Sequence, residues 1–181
     1  MPMHVFETQR LRLRPLHEGD EALYCALYSD PLLMRNIAPP LSDQAAQRSF
    51  RAACRQQRPH PRRWIIHEKE GNHEIGLLGL VPDDHTAEIG VMLLAGWEGR
   101  GFATESMAGM VDQVFSMRSF PRLCARQAIA DNPPVNRLML KLGFQPMPPD
   151  KAWSQRNWEL RYDDWRVLRG MAKVAAADGK G

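Results

Sequence analysis

The amino-acid sequence predicts an α/β (α+β) chain: one mixed sheet with helices on both faces. Three observations carry this. Short apolar runs alternate with polar residues at period two, and longer segments place apolar residues at helical spacing. The two kinds of segment are interleaved along 181 residues, with no internal repeat and no long linker. That length suits one domain with a core of its own. The expected limits are residues 1–170, followed by a fraying tail at 171–181.

Thr8 to Leu16 sets Leu11 and Leu13 against Arg10, Arg12 and Arg14, a half-buried strand ended by Pro15. His17 to Tyr28 reads as a helix, with Leu23 and Leu27 four apart. Ser42 to Arg58 is a second helix, capped by Ser42 or Asp43 and stopped by Pro59 and Pro61. Trp64–His67, Glu74–Val81 and Ala87–Leu94 are apolar runs separated by Gly71-Asn72 and Pro82-Asp83-Asp84, the pattern of a three-stranded antiparallel meander. Beyond Gly101 the period changes, and Met107, Met110, Val111, Val114 and Phe115 share one helical face. Leu123 to Ile129 is again strand-like. Pro133 to Leu142 is a helix with Asn132 as cap, its prolines tolerated in the first turn, and Gly143 closes it. Trp158 to Tyr162 forms a last strand, and the chain from Asp163 is helical until it frays near Ala175.

Composition narrows the function classes. Cys25, Cys54 and Cys124 are odd in number and widely spaced, which argues against a zinc site or a disulfide framework. The six histidines show no ligand spacing, so no metal is expected. Residues 1–10 lack the apolar run of a secretion signal, and Ile89 to Trp97 is too short to span a bilayer, so the expected compartment is the cytoplasm. Lys and Arg number 24 against 21 Asp and Glu, a net +3 too mild to imply nucleic acid by its sum. One cluster stands out: Arg48, Arg51, Arg55 and Arg58 recur at helical spacing, followed by Arg62 and Arg63, with only Asp43 nearby. It reads either as a solvated helix face or as a docking surface for something acidic, ribosomal RNA included.

The most informative stretch is Glu88 to Ser106, EIGVMLLAGWEGRGFATES. A strand runs into Gly99-Arg100-Gly101, which opens directly into an amphipathic helix. Glycines allow close approach to the main chain, and the first amides of a helix carry its positive end, so the turn suits an anion such as a diphosphate. The spacing fits neither the P-loop nor the dinucleotide glycine pattern.

Further segments join it in order: TQRLRLRPL at the start, AEIGVML and GRGFATE in the middle, then Asn132 to Phe144 (NPPVNRLMLKLGF) and WELRYDDW at the end. With these the chain resembles the GNAT superfamily of acyl-CoA-dependent N-acetyltransferases, in the branch of ribosomal-protein amino-terminal acetylases. The resemblance implies a single, mostly antiparallel sheet of about six to seven strands. Its fourth and fifth strands, here Ala87–Leu94 and Leu123–Ile129, are splayed by a bulge. It further implies acetyl-CoA as co-substrate. The pantetheine arm would lie along the main chain of Met92, Leu93 and Leu94. The diphosphate would sit on the amides of Gly99, Arg100, Gly101, Phe102, Ala103 and Thr104. Asn132 would contact the arm or thioester, and Asn136 the nucleotide end. Asn132 is equally at home as a plain helix cap.

Two positions depart from the family pattern. Glu98 stands where Gln or Arg is usual, and its carboxylate is expected to turn away from the diphosphate. Val135 and Met139 stand where relatives carry a serine or tyrosine that protonates the leaving thiolate. A thiol of pKa about 8.5 leaves without much help.

The attacking amine must be neutral, which at pH 7 costs about 4.6 kcal/mol for a lysine-like amine and about 1.4 for a peptide amino terminus. Glu88 is the first candidate base: Ile89, Val91 and Leu93 form one face of its strand, and Glu88 with Gly90 and Met92 the other, toward the cleft. An edge carboxylate is its other reading. Glu105 is the second candidate, and its position in the first helical turn is also explained by the helix dipole. His67 and Cys124 are expected to pack, as are the five tryptophans, with Trp97 near enough to the turn to flank a ligand.

The leading expectation is therefore acetyl transfer to a primary amine, either a protein amino terminus or a small molecule. The alternative is a catalytically weak acyl-CoA sensor of the same fold. Acceptor recognition is expected from the first two helices and the Met147 to Trp153 loop. Asp30, Asp43, Asp83 and Asp84 are open to acceptor attraction or to turn duty. A monomer and a homodimer paired through the carboxy-terminal strands both fit the sequence.

Overall fold

The computed structural model describes residues 5–58, 60 and 62–178, so Pro59 and Pro61, expected to stop the second helix, lie outside the described residues. Eight strands form one sheet in the order β1-β2-β3-β4-β5-β6-β8-β7. They are β1 (Phe6–Glu7), β2 (Leu11–Pro15), β3 (Arg63–Glu68), β4 (His73–Asp83), β5 (Thr86–Leu93), β6 (Arg122–Gln127), β7 (Gln145–Met147) and β8 (Arg156–Arg161). All neighbours are antiparallel except β5 and β6. The expected meander is β3-β4-β5. The expected six to seven strands become eight because β1 and β7 are edge strands of two and three residues. Neither is long enough to show a period, and β7 is exposed throughout and contains Pro146.

The helices are α1 (Glu21–Ser29), α2 (Pro31–Met34), α3 (Asp43–Arg55), α4 (Phe102–Ser116), α5 (Pro133–Lys141) and α6 (Tyr162–Asp178). They cover both sides of the sheet. On one side, Leu11, Leu13, Trp64, Ile66, Leu78 and Ile89 pack with Met107, Met110, Val111, Val114 and Phe115 of α4. On the other, Ile65 and Leu77 pack with Leu23, Tyr24, Leu27, Phe50 and Ala53 of α1 and α3. Neighbouring residues Ile65 and Ile66 thus serve opposite layers, as strand alternation requires. Ser42 caps α3 through Ala45 N, and Asn132 caps α5 through Val135 N, both as the sequence suggests. Helix α6 runs on to Asp178, past the expected boundary at 170, on a stretch of good helix formers led by Asp163 and Asp164. No helix among the described residues is long and apolar enough to cross a membrane.

The entry to α1 is fixed by an ion pair that the sequence does not announce. Asp20 is 3% exposed, yet it accepts from Arg14 Nη1 and Nη2 at 2.8 and 2.7 Å and from the His17 amide at 2.8 Å. Arg14 also reaches Glu74 at 2.7 Å and His67 at 3.0 Å, so one β2 side chain ties the loop before α1 to β3 and β4. Burial works to raise the Asp20 pKa, but Arg14 and the His17 amide outweigh it and hold the carboxyl below its usual range. A depressed carboxylate pKa contributes stability above the unfolded value near pH 3.9, and that stability is lost as pH falls through the folded value. Asp20→Asn is therefore expected to cost about 3 kcal/mol at pH 7. The gap from wild type should close on acidification below about pH 4, as read by denaturant unfolding at both pH values.

Candidate functional site

Strands β5 and β6 pair over only three positions, Thr86↔Arg122, Ala87↔Leu123 and Glu88↔Cys124. Beyond Glu88 they separate. β5 continues along β4 to Leu93 and β6 continues along β8 to Gln127, each in unbroken register. The splay expected for the fourth and fifth strands of the meander sheet is thus between β5 and β6. It arises without the expected bulge, since the register shift in this part of the sheet lies between Ile66 and His67. A cavity of about 360 Å³ opens at the divergence, walled by β4, β5 and β6 and by Asn132, Val135 and Met139 of α5.

Alternation decides which backbone groups of β5 face the gap. Leu94 N donates to Ile75 O at 2.8 Å, so the even-numbered residues pair with β4 and the odd-numbered ones, Ile89, Val91 and Leu93, direct N–H and C=O toward the gap. Of the three residues expected to hold an extended arm, Leu93 presents its main chain there. Met92 and Leu94 present theirs to β4, because successive residues point to opposite edges. The Met92 side chain lines the cavity instead.

The strand leads to the glycine turn. Gly99 and Gly101 adopt φ of +72° and +83°, the left-handed region that favours glycine, and Gly101 caps α4 without a side-chain hydrogen bond. The first helical bond of α4 is Glu105 N to Gly101 O at 3.0 Å. The amides of Phe102, Ala103 and Thr104 accordingly lack an intrahelical acceptor, and no side chain caps the helix. Arg100 lies over the Trp97 ring at 4.7 Å, and Trp97 packs on Phe102 with centroids 5.8 Å apart. Glu98 folds back to accept from Gly96 N at 2.7 Å, away from these amides as expected. Together the unpaired edge of β5 and the uncapped amides of α4 fit an extended polar arm ending in a diphosphate.

The two candidate carboxylates part company. Glu88 projects to the α1/α3 side, lines the cavity and accepts from Arg126 Nη1 at 2.5 Å. Arg126, whose side chain is 7% exposed, also forks onto Asp150 through Nε at 2.9 Å and Nη2 at 2.8 Å. Asn157 holds Asp150 from behind at 2.6 Å. The hydrogen bonds to Asp150, and after them Glu88, raise the Arg126 pKa against its burial, and Arg126 in turn holds the Asp150 carboxyl far below its ordinary value. Glu105 lies outside the cavity lining. Its oxygens take Thr8 Oγ1 at 2.5 Å, Arg10 N at 2.7 Å and Arg10 Nε at 2.6 Å, so it braces the β1–β2 turn against α4. Burial opposes ionisation of Glu105, but the Thr8 and Arg10 bonds prevail and lower its pKa.

Asn132 both caps α5, through Val135 N at 3.5 Å, and lines the cavity. Asn136 lies one turn on, against the Gln127 amide at 3.1 Å and outside the lining. His67 belongs to the Arg14 cluster rather than the cavity. Of the acidic residues left open by the sequence, Asp30 caps α2 and Asp84 sits in a turn at φ +46°. Arg48, Arg51, Arg55 and Arg58 form an exposed stripe on and just beyond α3, with no carboxylate pairing among the described residues. Among the described residues no group of three His, Cys, Asp or Glu is placed to hold a metal ion.

Several cavity residues carry no expectation from the sequence, among them Tyr28, Ile37, Gly79, Ala125 and Arg126, and Arg63 lines the cavity although the sequence places it only with the arginine cluster. Burial pushes the Tyr28 hydroxyl up to about 12, so it stays protonated at neutral pH. Arg126 was within reach of period-two reading, since it stands two residues beyond Cys124, the cross-strand partner of Glu88. The Met147–Trp153 loop does reach the site, through Asp150 and Trp153. Trp153, in the connection between β7 and β8, lines the cavity at 55% exposure rather than packing the sheet.

Residues 10–145 match the Acetyltransferase (GNAT) domain family. The N-acetyltransferase YoaA of Bacillus subtilis is 30% identical over 149 residues, covering 78% of this chain and 82% of YoaA. Spermidine N-acetyltransferase from Vibrio cholerae, solved with CoA and spermine, has a TM-score of 0.73 at 18% identity, over 87% of this chain and 99% of that one. Ribosomal-protein-S5-alanine acetyltransferase from Vibrio fischeri has a TM-score of 0.70 at 16% identity, over 89% of this chain and 98% of that one. At these identities the two structures speak for the fold. With three quarters of its length inside the family domain, the chain belongs to the GNAT acetyltransferases and is an acyltransferase enzyme.

Proposed function

We propose that this enzyme transfers the acetyl group of acetyl-CoA directly to a primary amine, with Glu88 as the group that receives the ammonium and, through water, its proton. One observation carries the reading. The open edge of β5 runs from Ile89 to Leu93 just beyond Glu88, and past residues 94–98 the chain reaches the glycine turn and the uncapped amides of α4, so free backbone groups lie at both ends of one path out of the cavity. Those residues suit a thioester whose acyl end lies beside Glu88 and whose diphosphate rests on residues 99–104. The amine nitrogen then attacks the thioester carbon, the C–S bond breaks, and the amine's proton leaves by way of Glu88 or solvent. Asn132, at the mouth of α5, is placed to orient the thioester end.

Val135 and Met139 line the cavity and donate no proton. The thiolate leaves unaided, as its pKa of about 8.5 permits. Glu88 shares its carboxylate with Arg126, so an arriving ammonium competes with a guanidinium already in place. This arrangement favours an amine that is easily deprotonated, of the peptide amino-terminal kind, over a lysine-like one.

Two measurements test the reading. Glu88→Gln is expected to lower kcat/KM for a peptide amine by about tenfold at pH 7, the cost of neutralising an amine of pKa about 8. The deficit should shrink as pH rises above 8 and the amine neutralises itself. A deficit that is flat with pH would remove Glu88 from the role of base. Gly101→Val, which forces a side chain into the left-handed turn beside Arg10, is expected to reduce the rise in Tm caused by acetyl-CoA. If acetyl-CoA raises Tm and no amine is acetylated, the chain is a sensor of the same fold. If acetyl-CoA leaves Tm unchanged in wild type, the reading fails.

A further inference from the structure

The face of the sheet that carries Glu88 holds a feature the acetyl-CoA site does not use. Antiparallel pairing places Arg63 opposite Gly79 and Gly79 opposite Gly90, so one row across β3, β4 and β5 contains two adjacent glycines. The rows on either side are filled by Leu77 with Met92 and by Val81 with Glu88. A Cβ at Gly90 would meet nothing within 4 Å, and one at Gly79 would meet only Arg62 O at 4.0 Å. Neither backbone φ lies in the left-handed region. These glycines are therefore not required by a turn or a close approach. They leave a trough across the sheet, about 10 Å from the β3 backbone to that of β5 at ordinary strand spacing.

Both glycines line the same cavity as Glu88, and so does Arg63 at the β3 end. Arg63 donates Nη1 to Gln56 Oε1 at 2.9 Å and lies beside the Tyr28 hydroxyl. It pairs with no carboxylate among the described residues. The other guanidinium of the cavity, Arg126, is satisfied on three sides by Glu88 and Asp150. The cavity thus offers one carboxylate, already shared, at the β5 end, and one guanidinium without a counter-charge at the β3 end. A polyamine would find little to hold its second charge, whereas an amine that also carries an anion meets both ends.

We propose that the acceptor lies in the Gly79–Gly90 trough and carries a carboxylate several bonds from its amine, which Arg63 receives while the amine points to Glu88. This rests on the acetyl-transfer reading and names the substrate class for it: a short amino-carboxylate, above all a dipeptide, whose amino terminus gives up its proton more easily than the alkylamine of an ω-amino acid. Trp153 and Ile37 supply the apolar walls for the body between the two charges.

The test compares matched acceptors that differ only in that charge. Alanyl-alanine is set against its amide, and ω-amino acids of three to six carbons against the corresponding alkylamines, with thiol release from acetyl-CoA as readout. In wild type, at least one carboxylate-bearing acceptor is expected to exceed its neutral match in kcat/KM by about tenfold to a hundredfold, as for a charged hydrogen bond. Arg63→Ala should collapse that ratio to near one. Gly79→Val, whose Cβ would meet only Arg62 O at 4.0 Å, should raise acceptor KM while acetyl-CoA still raises Tm. Transfer without a carboxylate preference, or an Arg63→Ala ratio equal to that of wild type, overturns this inference and leaves acetyl transfer standing. An unchanged acceptor KM in Gly79→Val overturns the placement in the trough. Absence of transfer to every amine overturns the acetyl-transfer reading and this inference with it.

Discussion

The early end of the β5–β6 ladder is the constraint on which the rest depends. Backbone N–H and C=O groups require partners, and a central sheet normally supplies them on both edges of every strand. Here three paired positions are followed by divergence, which leaves Ile89, Val91 and Leu93 with one edge open inside the protein. A ligand that can lie as a surrogate strand satisfies that edge. The cavity, the placement of α5 across its mouth and the direction of the chain into the glycine turn all follow from the same separation.

Charge is distributed around this opening so that few groups stand alone. Arg126 is nearly buried, and its cost of desolvation is offset by two carboxylates and by the Asn157 bond that orients one of them. The same fork connects β5, through Glu88, to the loop bearing Asp150 and Trp153. The loop wall of the cavity is therefore tied to the strand that carries Glu88. Removal of either carboxylate would leave a buried guanidinium short of a partner, so the network sets the position of the loop as well as the field in the cavity.

A second network serves the other end. Arg10 reaches Glu105 and Arg100 O and lies over the Phe102 ring at 4.5 Å, while Thr8 donates to Glu105. The opening TQR of the first strand motif thus holds the amino-terminal turn of α4 in place. Glu105 also suits the positive end of that helix. Its location in a motif near the glycine turn made it resemble a second base, but its contacts make it a brace.

The sequence by itself determined the order of the longer strands and helices, though not β1, β7 or α2, together with the two faces of β5, the caps of α3 and α5, and the glycine-led start of α4 after Trp97. Each rests on local pattern: period two, period 3.6, a capping side chain, glycine before a helix. It also pointed to Glu88, since alternation against Ile89 and Val91 is visible in a single strand. Only the tertiary structure decided which neighbours those residues meet. That Glu88 shares Arg126 with Asp150, that Glu105 belongs to Thr8 and Arg10, and that Gly79 stands beside Gly90 with Arg63 at the end of the row are facts of register. Register between strands distant in sequence is set by how the two core layers pack, and no local pattern encodes it.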